Sequence, residues 1–185
     1  MSPIKDISKL GPKEIRGLIR KGRWDRPTAG LAMGYAQANV VILPKKYGFD
    51  FLLFCQRNPK PCPLLEVLEP GVYLTSFLAK DADIRTDVPR YNIYKRGELQ
   101  DTVKDIRTLW SDDLVTFFLG CSFSFEEALV RSSIPVRHIE EKKNVPMYIT
   151  SIECEPAGIF RGHQVVTMRP IPPDKVAQAV QVTSR

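Results

Sequence analysis

The apolar residues of this chain come in short runs separated by polar, proline and glycine positions. Phe51-Leu52-Leu53-Phe54-Cys55 and Leu114-Val115-Thr116-Phe117-Phe118-Leu119 are the longest. Crossing a bilayer as a helix takes about 20 consecutive apolar residues, so neither run is a membrane span, and both must be buried inside a folded domain. The first residues, Met1 to Arg20, hold no apolar core of the signal-peptide kind. A cytoplasmic location with no membrane partner is the resulting expectation.

Periodicity and punctuation then divide the chain. Pro12 at a first helical position and Gly22 past the end predict a helix over Pro12–Lys21, with Ile15, Leu18 and Ile19 as its buried stripe. The β-branched run from Gln37 to Pro44 predicts a buried strand stopped by proline. A helix follows over Lys45–Arg57, on the spacing of Phe49, Leu52, Leu53 and Gln56, and Asn58-Pro59 ends it. Leu64–Leu68 reads as a strand, and Tyr91–Lys95 with Glu98–Val103 as a hairpin around Arg96-Gly97. Ser111 is positioned to cap a helix over Asp112–Leu119 closed by Gly120. Ser124-Phe125-Glu126-Glu127 has the S-x-x-E form of a capping box for a helix through about Arg131. Met147–Ile152 and Gln164–Arg169 read as strands and Pro173–Val182 as a last helix. These elements predict an α/β fold, a mixed sheet with helices on its faces in two interleaved lobes, the smaller at about 120–185.

Composition narrows the function classes. With 43% hydrophobic and 26% charged residues among 185, the chain is globular in character. The net charge of +6 is concentrated at Lys5, Lys9, Lys13, Arg16, Arg20, Lys21, Arg23 and Arg26. No nucleic-acid reader motif follows and no aromatics are interleaved for base stacking, so this is a solvated basic face or an attractor of anions, and no nucleic-acid partner is expected. Cys55, Cys62, Cys121 and Cys154 contain no CxxC, and the histidines number 2. Free thiols, mostly buried, and no metal or other cofactor are expected.

Four segments set polar groups where elements end. They are Gly34-Tyr35-Ala36-Gln37-Ala38-Asn39, Phe54 through Pro63, Gly120-Cys121-Ser122-Phe123-Ser124-Phe125-Glu126-Glu127, and Asn144-Val145-Pro146-Met147-Tyr148. With Thr86-Asp87-Val88-Pro89-Arg90-Tyr91 and Val166 through Pro172, they resemble the YcsI-type hydro-lyase family, which includes D-glutamate cyclase, over essentially the whole chain. Family members run on beyond the stretch that resembles this chain. The resemblance therefore implies that residues 1–185 correspond to the family's N-terminal two-thirds, and that a site completed by the remainder is incomplete here.

The resemblance implies elimination of water, and for the D-glutamate cyclase branch the closure of D-glutamate to 5-oxo-D-proline. Such a reaction needs a clamp for the α-carboxylate, a base for the ammonium, and an acid or oxyanion site for the departing oxygen. Arg57 with Asn58, Arg90, Arg137 and Arg169 are the candidate clamps, because guanidinium meets carboxylate through two parallel hydrogen bonds. Arg169 leads, since the run Val165-Val166-Thr167-Met168 predicts a buried strand from whose end it emerges before Pro170. Asn39 and Gln37 are amide hydrogen-bonders entering a strand, with satisfaction of loop backbone as the bland alternative. Ser122, Ser124 and Cys121 precede a helix N-terminus that would favour an anion or activate a thiol; simple capping and core packing are the alternatives. Glu126, Asp87, Tyr148, His138 and His163 are the acid–base candidates, with His138 read as an exposed loop residue and His163 as part of a turn. The expected ligand is a small acidic metabolite acted on by a lyase; a non-catalytic binding protein for such a metabolite or for a protein is the alternative, and a homo-oligomer is left open.

Overall fold

The computed structural model describes residues 7–184; Lys5 of the basic cluster lies outside them. Helix α1 spans Pro12–Arg20, strand β1 Ala38–Pro44, helix α2 Gly48–Arg57 and strand β2 Leu64–Val67. The hairpin β3 (Tyr91–Lys95) and β4 (Glu98–Val103) follows, then strand β5 at Leu114–Gly120. The remaining elements are α3 (Glu126–Arg131), α4 (Arg137–Glu140), β6 (Met147–Glu153), β7 (His163–Thr167) and α5 (Val176–Thr183). The fold is α/β. Its strands form three antiparallel sheets, ordered β1-β5-β2, β3-β4 and β6-β7.

β5 is the axis of the molecule. Of residues 112–119, expected as a helix, 114–119 instead form most of this central strand and 112–113 the turn before it. Val, Thr and two Phe suit a pleated surface packed on both faces, and Ser111 serves a turn, its carbonyl accepting the Leu114 N–H at 3.2 Å. Period-two alternation then sorts the core. Val115 and Phe117 join Phe51 and Cys55 of α2, with Val41 and Leu43 of β1 packed against them. Phe118 faces the other way, onto Leu68 and Ile84, beside Val40 and Ile42. Phe117 is 1% exposed; burying such a side chain contributes about 1.5–3 kcal/mol. Its ring meets Phe51 edge-on, centroids 4.9 Å apart at 81°.

Two smaller cores flank this one. Ile15 and Ile19 of α1 pack on Leu31, and Leu129, Ile134, Val136 and Ala179 close a cluster between α3 and α5. In α2 the buried pair is Phe51 and Cys55. Phe49, Leu52 and Gln56, three of the four positions of the expected helical spacing, are exposed, because the sheet meets the helix one residue further round. The run Val165–Met168, expected to be buried, is also open: Val165, Val166 and Met168 are all exposed, since the β6-β7 sheet is not sandwiched as β5 is. Among the described residues no helix is long and apolar enough to cross a membrane.

Candidate functional site

The sequence places Ser122 through Glu127 directly after the central strand. A 3-10 turn at Ser122–Phe125 leads into α3, whose first residue is Glu126. The expected capping box does not form. The residue before α3 is Phe125, which makes no side-chain cap, and Ser124 is committed elsewhere, its Oγ accepting the Gln37 N–H at 2.8 Å. The anion at this helix start is the protein's own Glu126.

Glu126 is 2% exposed and anchors a buried polar cluster. Arg169 Nε donates to its Oε1 at 3.0 Å, and Nη2 donates to the same oxygen. The other donors of that guanidinium reach Ser122 Oγ at 3.1 Å and Thr167 Oγ1 at 2.9 Å. Its plane lies over the Phe125 ring, with Cζ 4.7 Å from the centroid. Arg169, just past β7, is thus a buried side chain at 8% exposure, and its fork is filled by internal partners.

His138 completes the cluster. Expected in an exposed loop, it lies in α4 and is buried, because Ile134, Val136 and Ile139 carry its segment onto the core of α3 and α5. Its Nε2 comes within 3.0 Å of Glu126 Oε1 and makes no hydrogen bond among the described residues. Glu126 Oε2 is likewise buried and unpartnered. Beside Glu126 lies a cavity of about 30 Å³ under the loop Gly30–Gln37, room for about one water. Gly34 turns this loop at φ +88°, a backbone conformation that favours glycine, in van der Waals range of Glu127.

Of the residues singled out from sequence, Glu126, Ser122, Arg169 and His138 are therefore brought together, and Ser124 lines the cavity beside Glu126. Asn39, exposed on β1, and half-buried Cys121 line a different and larger groove. Tyr148 is 51% exposed on β6, and His163 opens β7, exposed. Arg57 donates to the Pro156 carbonyl, and buried Asn58 binds the carbonyls of Phe54 and Glu155 and the Glu155 N–H, each at 2.8 Å; both tie the end of α2 to the loop after β6. Arg90 and Arg137 pair on the surface with Asp25 and Glu141. Asp87 is held by Arg20. Sequence reasoning missed the burial of His138 and the part of Thr167; the apolar neighbours Val136 and Ile139 were the available signal for the histidine.

The thiols differ sharply in surroundings. Burial, with Cys62 beside it, pushes the Cys55 thiol up to about 11, and burial raises Cys62 as well. At pH 8 the Cys55 thiolate fraction is on the order of 0.1%. Iodoacetamide labelling of the native protein, followed by peptide mass analysis, is expected to modify half-buried Cys121 first and Cys55 last. Equal rates at the two would contradict the packing around α2.

A sequence model of the D-glutamate cyclase family matches residues 115–185. The chain is 60% identical over 179 residues to a protein of Bacillus licheniformis, spanning 97% of this chain and 68% of that one. It is 61% identical over 180 residues to a protein of Thermoanaerobacter sp., with the same coverage. To YcsI of Bacillus subtilis it is 57% identical over 176 residues, covering 95% of this chain and 68% of YcsI. All three are provisionally named hydro-lyases.

Proposed function

This chain belongs to the D-glutamate cyclase family of hydro-lyases, and on that premise we propose that it removes water from a small amino or hydroxy acid at the Glu126–His138–Arg169 cluster. The observation that carries the reading is the state of Glu126. One of its oxygens is held by Arg169 while Oε2, fully buried, is left without a partner. A buried polar atom left unpaired costs stability, and such an atom in a folded protein calls for a reason, of which a catalytic role is one.

D-glutamate is the proposed substrate. Its amine nitrogen attacks the side-chain carboxyl carbon, the C–N bond forms, and one C–O bond breaks. Two protons travel from nitrogen to the departing oxygen, which leaves as water. In this reading Glu126 is the base, His138 the partner that returns a proton to oxygen, and Arg169 the positioning residue that holds Glu126 Oε1. Ser122 and Thr167 hold Arg169 in turn. The cavity beside Glu126 is smaller than such a substrate, so entry requires the Gly30–Gln37 loop to lift off Glu127.

Formation of 5-oxo-D-proline from D-glutamate, followed against pH, tests this. Glu126→Gln is expected to lower kcat about 100-fold. A folded Glu126→Gln protein with unchanged kcat would remove Glu126 from the chemistry. No turnover of D-glutamate or related acids by the unaltered protein, with binding retained, would favour a non-catalytic binding role.

A further inference from the structure

β1 is an edge strand of the central sheet. Two flanking bonds determine which of its backbone groups are used. The Cys121 N–H donates to the Gln37 carbonyl at 3.0 Å, and the Lys45 N–H to the Asp113 carbonyl at 2.6 Å. Between them Ala38–Pro44 runs against β5 in unbroken register. Antiparallel strands exchange bonds at every second residue, so Asn39, Val41 and Leu43 share the orientation of 37 and 45 toward β5. The N–H and C=O groups of Ala38, Val40 and Ile42 then point off the edge. Among the described residues nothing pairs with them.

β3 presents a second unpaired edge, because β4 is its only partner among the described strands. Both edges open onto one groove of about 1000 Å³, lined by all of β1 and by Tyr91–Tyr94 of β3. Its lining is largely apolar, including Ile42, Ile93, Leu109 and Phe160. That volume is at the top of the range for small-molecule pockets and far exceeds what a small carboxylic acid fills. Exposed strand edges are templates for another strand, and folded proteins keep them covered.

The geometry points to an added strand: we infer that this groove accepts an extended, mainly apolar segment pairing with β1 through Ala38–Ile42, and that the segment comes from the part of the family's chain outside the matched region. The match takes in 97% of this chain but 68% of the Bacillus licheniformis protein, so a further stretch of family chain has no counterpart among the residues compared. Pro44, without an N–H, ends the pairing at one side. The occupant is therefore short, matched to the stretch from Ala38 to Ile42, and its main chain gives the affinity while its side chains meet the apolar walls.

The test supplies the unmatched part of the Bacillus licheniformis chain as a separate polypeptide and measures amide hydrogen exchange in this protein. Binding is expected to slow exchange of the Val40 and Ile42 amides at least about 10-fold, as a new ladder bond would. Val40→Pro removes an N–H that β5 does not use, at an edge position where proline is tolerated, and is expected to weaken binding about 10-fold. If that variant does not fold, the exchange measurement on the unaltered protein decides. No binding, or binding that leaves both amides unprotected, overturns the inference. Protection of the two amides in the protein alone, rising with its concentration, also overturns it in favour of a second copy of this chain. Protection by D-glutamate alone overturns it in favour of a small-molecule groove.

Discussion

Arg169→Ala is expected to destabilise the protein by about 3–5 kcal/mol, the usual cost of removing one partner of a buried ion pair. For a chain of this size that corresponds to a fall in Tm of roughly 6–20 °C. The cause is what remains behind. Glu126, 2% exposed, would keep its carboxylate in the interior with no hydrogen-bond donor, only His138 Nε2 3.0 Å from Oε1, because Arg169 is the donor to Oε1 and Oε2 has none. Ser122 and Thr167 would lose the same guanidinium. Arg169→Lys is expected to recover little, since one ammonium cannot reach three acceptors in a plane and still lie over Phe125. Replacing both partners, Glu126→Leu with Arg169→Met, is expected to cost less than Arg169→Ala alone, because no unpaired charge is then buried. Chemical denaturation of the three variants makes the comparison. A loss below about 1 kcal/mol for Arg169→Ala would mean that water reaches Glu126.

Arg20→Ala is expected to cost about 2–4 kcal/mol and to act first on α1. Arg20 grips Asp87 through two bonds, Nε to Oδ1 at 2.7 Å and Nη2 to Oδ2 at 2.6 Å, and this is the tie between α1 and the loop at 83–87. The two sides are unequal: the Asp87 side chain is 3% exposed and that of Arg20 52%. Removing the arginine leaves a buried carboxylate with only the Asp83 N–H at 3.2 Å and the Thr86 hydroxyl at 3.1 Å as donors, and Arg16 3.9 Å away as the nearest remaining cation. Removing Asp87 leaves an arginine that water can solvate. Amide exchange in α1 should accelerate by more than the rest of the protein does, because α1 otherwise holds on through Ile15 and Ile19 against Leu31. Uniform acceleration across the chain would show that α1 unfolds only with the whole.

The same residues show how far the amino-acid order reaches. Elements bounded by proline, glycine or a two-residue turn were legible. Pro12 starts α1, Pro44 stops β1, and Arg96-Gly97 turns the β3-β4 hairpin within the expected bounds. These are local steric rules, obeyed whatever the surroundings. The stretch 112–119 was not legible. Its aspartates and closing glycine satisfy the local rules for a helix, and a short apolar run carries no period that separates strand from helix. Burial on both faces, between α2 on one side and Leu68 and Ile84 on the other, decides for the strand.

The site divides in the same way. Chain order alone marks Glu126, Ser122 and Arg169 as polar residues at element ends, and membership of the family is written in such segments. That Arg169 meets Glu126 across 43 residues, and that His138 is drawn in beside them, follows only from packing of the α3–α5 core. The same packing turns a fork suited to a substrate's carboxylate onto the protein's own. Sequence determines which groups are polar and where the chain must bend. Which of them lose water, and therefore which become strong enough to matter, is decided when distant segments close over them.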